Sequence, residues 1–289
     1  MRRLFLAGAL LLAMLIPASS ASAALEGEYA KFKTCPVSNP AVGSCVYAES
    51  TSGSFTIGAK TVPLIKPVIL KGGLSATFQE LTSQNIVLYA PTDGQTLSKT
   101  PQTVPGGLTG VVAPSWWPQF LRDLFNETIN NGFTGVTATV ELAAPASAVK
   151  FNFANLFARS GPGLALPVKV KLDNPFLGSS CYIGSNSQPI QLNLTDGTTS
   201  PPPPNTPITG DFGQINGADE GNIVFFENQK ILDNSFSAPG TNGCGGLFSF
   251  LVDPFVSSIL GVPAAAGHNT AILQGFNYLA SGAAVRAKS

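Results

Sequence analysis

The chain has 289 residues, of which 44% are hydrophobic and only 11% charged, with 16 basic against 16 acidic side chains. That apolar content supports a packed core and argues against global disorder. A charged fraction under half the usual ~25%, with no net sign, leaves no electrostatic footprint for nucleic acid.

The chain opens MRRLFLAGALLLAMLIPASSASA. Arg2 and Arg3 form a positive start, Leu4 to Ile16 an apolar stretch, and Ala21-Ser22-Ala23 a small-residue cleavage site. This is the pattern of a signal peptide over residues 1–23, and it predicts a secreted or cell-surface protein. The apolar stretch is too short for a comfortable membrane span, so no transmembrane anchor is expected in the mature chain. Residues 24–289 are expected to form one disulfide-stapled, β-rich domain. The four cysteines of an exported chain read as two disulfides, for which three pairings exist. Cys35 and Cys45 enclose CPVSNPAVGSC, whose prolines, Asn39 and Gly43 suit a tight loop. Pairing them leaves Cys181 with Cys244. Neither pair has the short spacing of a zinc site and His268 is the only histidine, so no metal or other cofactor is expected.

In chain order, FTIGAKTVPLIKPVIL (Phe55 to Leu70) is rich in β-branched residues and interrupted by Pro63 and Pro67, the mark of an edge strand or a broken pair of strands. LSATFQELTS and NIVLYAP are further strand candidates. SWWPQFLRDLFNETINNG predicts the clearest helix, with Ser115 as N-cap and Pro118 in the first turn. Trp117, Phe120, Leu121, Leu124, Phe125 and Ile129 fall on one apolar face, expected to cover a sheet. Neighbours on a helix stand ~100° apart, so Trp116 projects from the rim of that face. It is a candidate contact for a sugar, a lipid headgroup or a partner.

FTGVTATVELA, AVKFNF, LPVKVKL and IQLNL then alternate apolar and polar residues, as antiparallel strands with one wet face do. TTSPPPPNTP (Thr198 to Pro207) is a stiff polyproline run. A Cys181–Cys244 bridge would span it, which makes it a loop within one domain and not a linker. NIVFF and QKILDNSFS follow as strands. In LFSFLVDPFVSSILG, Pro254 is expected to begin a short helix over Asp253 to Leu260, with Asp253 as N-cap. HNTAILQGFNYL is the last strand candidate. The fold class expected is mainly β: an antiparallel β-sandwich or partly closed barrel with one amphipathic helix and a short second helix.

LDNPFLGSSCYIGS with PPPPNTPITG shortly after resembles secreted proteins of actinobacteria to which no function is attached, over roughly Phe133 to Gln274. The resemblance implies export and carries no catalytic residues.

Residues able to do chemistry are sparse. His268 sits in a small-residue loop, the G-x-S-x-G elbow is missing, and a surface or capping role suits it better than that of a base. Asp211, Asp219, Glu220 and Glu227 cluster in sequence without the spacing of a calcium loop, and read as a polar turn between strands. Asn126 and Asn193 head glycosylation sequons, neither expected to be used because a helix and a strand hold them. The leading expectation is a secreted or cell-envelope-associated, non-enzymatic protein with a binding or structural surface, toward an envelope, glycan or lipid partner. The alternatives are a carrier of a lipid or other apolar ligand within the β domain, motivated by 19 phenylalanines, and a carboxylate-dependent glycosidase.

Overall fold

The computed structural model describes residues 25–83, 85–108, 114–125 and 135–289. The segment expected to be a signal peptide, the distal part of the expected helix and the Asn126 sequon lie outside these residues.

The strands are β1 (Ser44–Ile57), β2 (Lys60–Pro63), β3 (Val68–Leu74), β4 (Leu88–Tyr89), β5 (Gln102–Thr103), β6 (Thr137–Leu142) and β7 (Lys150–Phe151). They continue as β8 (Leu164–Asp173), β9 (Tyr182–Ile183), β10 (Ile190–Leu194), β11 (Gln214–Ala218), β12 (Ile223–Asp233), β13 (Thr241–Asn242) and β14 (Thr270–Ser281). The helices are α1 (Gln119–Phe125), α2 (Phe153–Ala158), α3 (Ser249–Leu260) and α4 (Gly282–Lys288).

These strands make two antiparallel sheets. The first runs β11-β12-β14-β1-β3-β4, with β2 hairpinned onto β1; the second runs β13-β9-β8-β6-β5, with β7 and β10 also on β8. The sheets face each other as a sandwich and do not close into a barrel. Isolated bridges tie them at two places, Val87 to Lys150 and Thr195 to Leu232.

Alternation decides which side chains go inside. Along β10 the burial of IQLNL strictly alternates, with Ile190, Leu192 and Leu194 buried against exposed Gln191 and Asn193. Along β8, Leu166, Val168, Val170 and Leu172 are buried toward the first sheet. Burying each such side chain contributes about 1.5–3 kcal/mol. A second, smaller cluster lies on the other face of the first sheet, where Phe32, Val42 and Val285 pack around Cys45 and Ile223. There Arg286 of α4 donates to the carbonyls of Val37, Asn39 and Val42, so the C-terminal helix closes over the N-terminal loop.

Both disulfides form as paired above: Cys35–Cys45 and Cys181–Cys244, and no described cysteine is free. The proline run packs within the fold, with Thr198 bridged to Thr209 and Asn205 donating to the carbonyls of Asn234 and Asn269.

Five local expectations are corrected. LSATFQE does not continue as a strand after Leu74: Phe78–Glu80 is a 3-10 turn, because Thr77 and Glu80 form a capping box. AVKFNF is a strand only at Lys150–Phe151; Asn152 then accepts from the Asn155 amide and starts α2. Helix α3 begins at Ser249, and Pro254 lies inside it. Asp253 is therefore not its N-cap, and its carboxylate instead accepts from the amides of Gly243 and Cys244. Helix α1 starts at Gln119, so Ser115 is not its cap. Nor does its apolar face cover a sheet: Phe120, Leu121 and Leu124 are exposed.

The Cys181–Cys244 bridge closes a loop with a sequence separation of 63. The chain-entropy model assigns such a closure about 4 kcal/mol. The Cys181→Ala/Cys244→Ala double variant should lose stability of that order in urea titrations, and about 3 kcal/mol is expected from removing Cys35–Cys45. A loss under ~1 kcal/mol for Cys181–Cys244 would show that the bridge does not restrain the unfolded chain in this way.

Candidate functional site: an apolar gap between the sheets

The two sheets do not fill the space between them. A cavity of about 80 Å³ lies between β1, β3, β12 and β14 on one side and β7, α2 and β8 on the other. A second, of about 50 Å³, lies between β1, β2 and β3 and the strands β6 and β8. Val68 borders both, so one side chain stands where the two meet.

The walls of the larger gap are mostly apolar. Phe151 and Phe153 stack at 5.6 Å, and Phe157, Phe212 and Phe226 form a row with ring centroids 6.0 and 5.1 Å apart. The row runs from Phe226 in the core to Phe157 on α2, which is 45% exposed. Helix α2 is therefore one part of the gap's wall that reaches solvent.

One part of the wall is polar, and β14 explains it. Residues that alternate along β14 share a face, and Leu273, Gly275, Asn277 and Leu279 all line the gap. Both neighbours of β14 slip register at this level: β1 between Ser50 and Ser52, and β12 between Phe226 and Gln229. Asn228 takes up the second irregularity with φ 57°, in the left-handed region. Such bulges re-aim side chains. Here Ser50 and Gln229 both come opposite Gly275 and border the gap beside Asn277. Gly275 is required for the close approach of β1, since a Cβ there would run into the Glu49 carbonyl oxygen.

A hydrogen-bond chain leads from this patch to a buried carboxyl. The Asn277 side-chain amide donates to Gln229 Oε1, and Gln229 Nε2 donates to Asp196 Oδ2 at 3.1 Å. Asp196 is fully buried, and its Oδ1 has no hydrogen-bond partner among the described residues. Burial raises the Asp196 pKa, partly offset by the Gln229 hydrogen bond. Burial also raises the pKa of Asp233, against the pull of the Asn193 and Ser235 amides.

The residues singled out in the sequence lie elsewhere. The four cysteines are all in disulfides. Trp116 is 80% exposed, with its ring edge-on to Trp117 at 6.1 Å, ahead of α1 and away from the gap. His268 is exposed. The acidic cluster is dispersed along the β11–β12 hairpin. The Asp211 backbone bridges to that of Lys230, Glu227 stands opposite Gln214, and Asp219 receives the Tyr29 hydroxyl at the other end. No group of acidic, histidine and cysteine residues suited to a metal is present among the described residues. The polar patch went unread in the sequence, yet AILQGFNYL carried its signal: alternation places Asn277 on the face of Leu273 and Leu279.

Fold and site together define a disulfide-stapled antiparallel β-sandwich with an apolar space between its sheets. The chain matches no known protein-family model, no curated protein and no solved structure.

A carboxyl group whose folded pKa is raised binds its proton more tightly folded than unfolded. Stability from Asp196 is then greatest below the unfolded value, ~3.9, and falls as pH rises toward the folded pKa. Asp196→Asn keeps an acceptor for Gln229 and removes the buried charge. Its melting temperature relative to the unaltered protein should therefore increase between pH 4 and pH 7.5 in calorimetry, and a difference that shrinks with pH would contradict the burial argument.

Proposed function

We propose that this is a non-enzymatic, secreted or cell-envelope protein that carries an apolar ligand between its sheets. The observation that carries the reading is the phenylalanine-lined gap, enclosed by the main apolar core. Globular cores leave few voids larger than a water molecule. An unfilled space with an aromatic row leading to the surface suits a ligand. Disulfides accord with an oxidising compartment, and among the described residues no helix is long and apolar enough to cross a membrane. At about 80 Å³ the gap is roughly half the 150 Å³ of an engineered cavity that admits benzene. A longer chain therefore has to displace Val68 and enter the second space, or lift α2.

Protein purified from its own host should show a co-purified apolar ligand in native mass spectrometry. Leu166, buried on β8 against the gap, offers a way to fill it, and Leu166→Trp should abolish the added mass. A bare unaltered protein that also takes up no added hexane would sink the carrier reading.

A second reading, a lipid-binding surface, is favoured by α3 and the turn before it. Leu247 is 94% exposed, and Phe248, Phe250, Leu251 and Phe255 are all at least 63% exposed. Asp253, the only charged residue between 241 and 260, turns its carboxylate inward to the Gly243 and Cys244 amides. The excursion that carries Trp116 and α1 returns to the same end of the second sheet, where Asn174 donates to the Gly135 carbonyl. Exposed apolar surface of this kind marks an interaction site. The protein should co-float with phosphatidylcholine vesicles, and Phe250→Asp/Leu251→Asp should reduce the floated fraction at least fivefold. Flotation equal to that of the unaltered protein would remove the surface reading.

A further inference from the structure

The polar patch in the wall gives the ligand a head as well as a tail. We infer that the gap selects a neutral amphiphile with a terminal hydroxyl, an aliphatic alcohol rather than a fatty carboxylate. Its hydroxyl is held by Asn277 and Ser50 at Gly275. The inference rests on the carrier reading and specifies its ligand.

Three observations support it. First, the face of β14 that lines the gap is apolar at Leu273 and Leu279, with Asn277 between them and no side chain at Gly275. Missing bulk and polar atoms coincide at one point, where a small polar group can approach the backbone. Second, the donor direction along the chain of amides is set from its far end. Asp196 Oδ2 accepts from Gln229 Nε2, so the Gln229 carbonyl oxygen is left to accept from Asn277. That leaves Asn277 Oδ1 as an acceptor and its second N–H as a donor, while Ser50 Oγ can serve as either. One ligand hydroxyl, a donor and an acceptor at once, satisfies such a pair.

Third, charge excludes the commoner alternative. Among the described residues lining the larger gap there is no lysine, arginine or histidine. The acidic group nearest to the patch along its hydrogen bonds is the Asp196 carboxyl, bonded directly to Asn277's partner Gln229. A ligand carboxylate at this point would lose its hydration without gaining a counter-ion. Lys60 borders only the second space, beyond Val68, and reaches the Gly107 carbonyl at 3.4 Å.

The test is calorimetric and NMR titration of the full mature chain at pH 7.5 with 1-hexanol, hexanoate and hexane. Hexanol should bind at least tenfold more tightly than hexanoate. Asn277→Leu and, separately, Ser50→Ala should each weaken hexanol about tenfold and several-fold respectively, leaving hexane unweakened. Ser50→Ala removes a single oxygen and guards against a folding failure in the larger change. Hexanoate binding as tightly as hexanol, or hexanol binding indifferent to both substitutions, overturns the head-group assignment while hexane binding still upholds the carrier. Failure of all three to bind overturns the carrier reading itself.

Discussion

The first sheet is organised by a close approach at one residue without a side chain. At Gly275 the backbone of β1 comes so near β14 that a Cβ would strike the Glu49 carbonyl. Both flanking strands adjust their register at that level. An extra residue in a strand turns the side chains that follow it to the other face. The bulge in β12 is what gives Gln229 its inward position opposite Gly275, and the one in β1 follows directly on Ser50. Much else depends on this arrangement. Ile231 and Leu232 beyond the bulge meet the interior and the Thr195 bridge respectively, and the bridge helps hold β10 against the first sheet.

An apolar gap and a buried polar chain both cost stability. Measured cavities cost about 24 cal/mol per Å³, which puts the larger gap near 2 kcal/mol. A buried acceptor without a partner, such as Asp196 Oδ1, costs about 1–3 kcal/mol. Filling the gap with larger side chains would reduce the first cost, and replacing Asp196 by an amide would remove the buried charge though not the unpaired polar atom. The two disulfides, at about 3 and 4 kcal/mol, act on the unfolded chain and are large enough to offset these costs. They also tie down the N-terminal loop and the turn that leads into α3.

The sequence revealed the fold wherever a single face decides the structure. In IQLNL and LPVKVKL, period-2 alternation alone places each side chain, and the structure keeps it. The disulfide pairing followed from loop chemistry, and the proline run became an internal loop once Cys181 and Cys244 bridged it. What could not be read were effects that act against local pattern. FANLFA is too short to show helical period, and its start depends on the Asn152 side chain capping Asn155. Phe120, Leu121 and Leu124 have a proper apolar stripe, but whether a stripe is covered depends on where the chain carries it. Asn277 was legible from alternation along β14. Gln229 was not, because a bulge resets the parity that alternation relies on.

Where the uncharged surfaces lie connects the gap with the outside. The lining of the larger gap contains no cation among the described residues, and the exposed stretch of α3 has its one carboxylate turned inward. A molecule that guided charged ligands would place net charge at the entrance, where low-dielectric walls concentrate the field. This protein has almost none to place: 11% of its residues are charged, in equal numbers of each sign. What selectivity the gap has must then come from shape and from hydrogen bonds that are otherwise unmade. Asp196 matters in that scheme although it borders no ligand. By fixing the orientation of Gln229 it fixes that of Asn277, and so decides which atoms the gap presents.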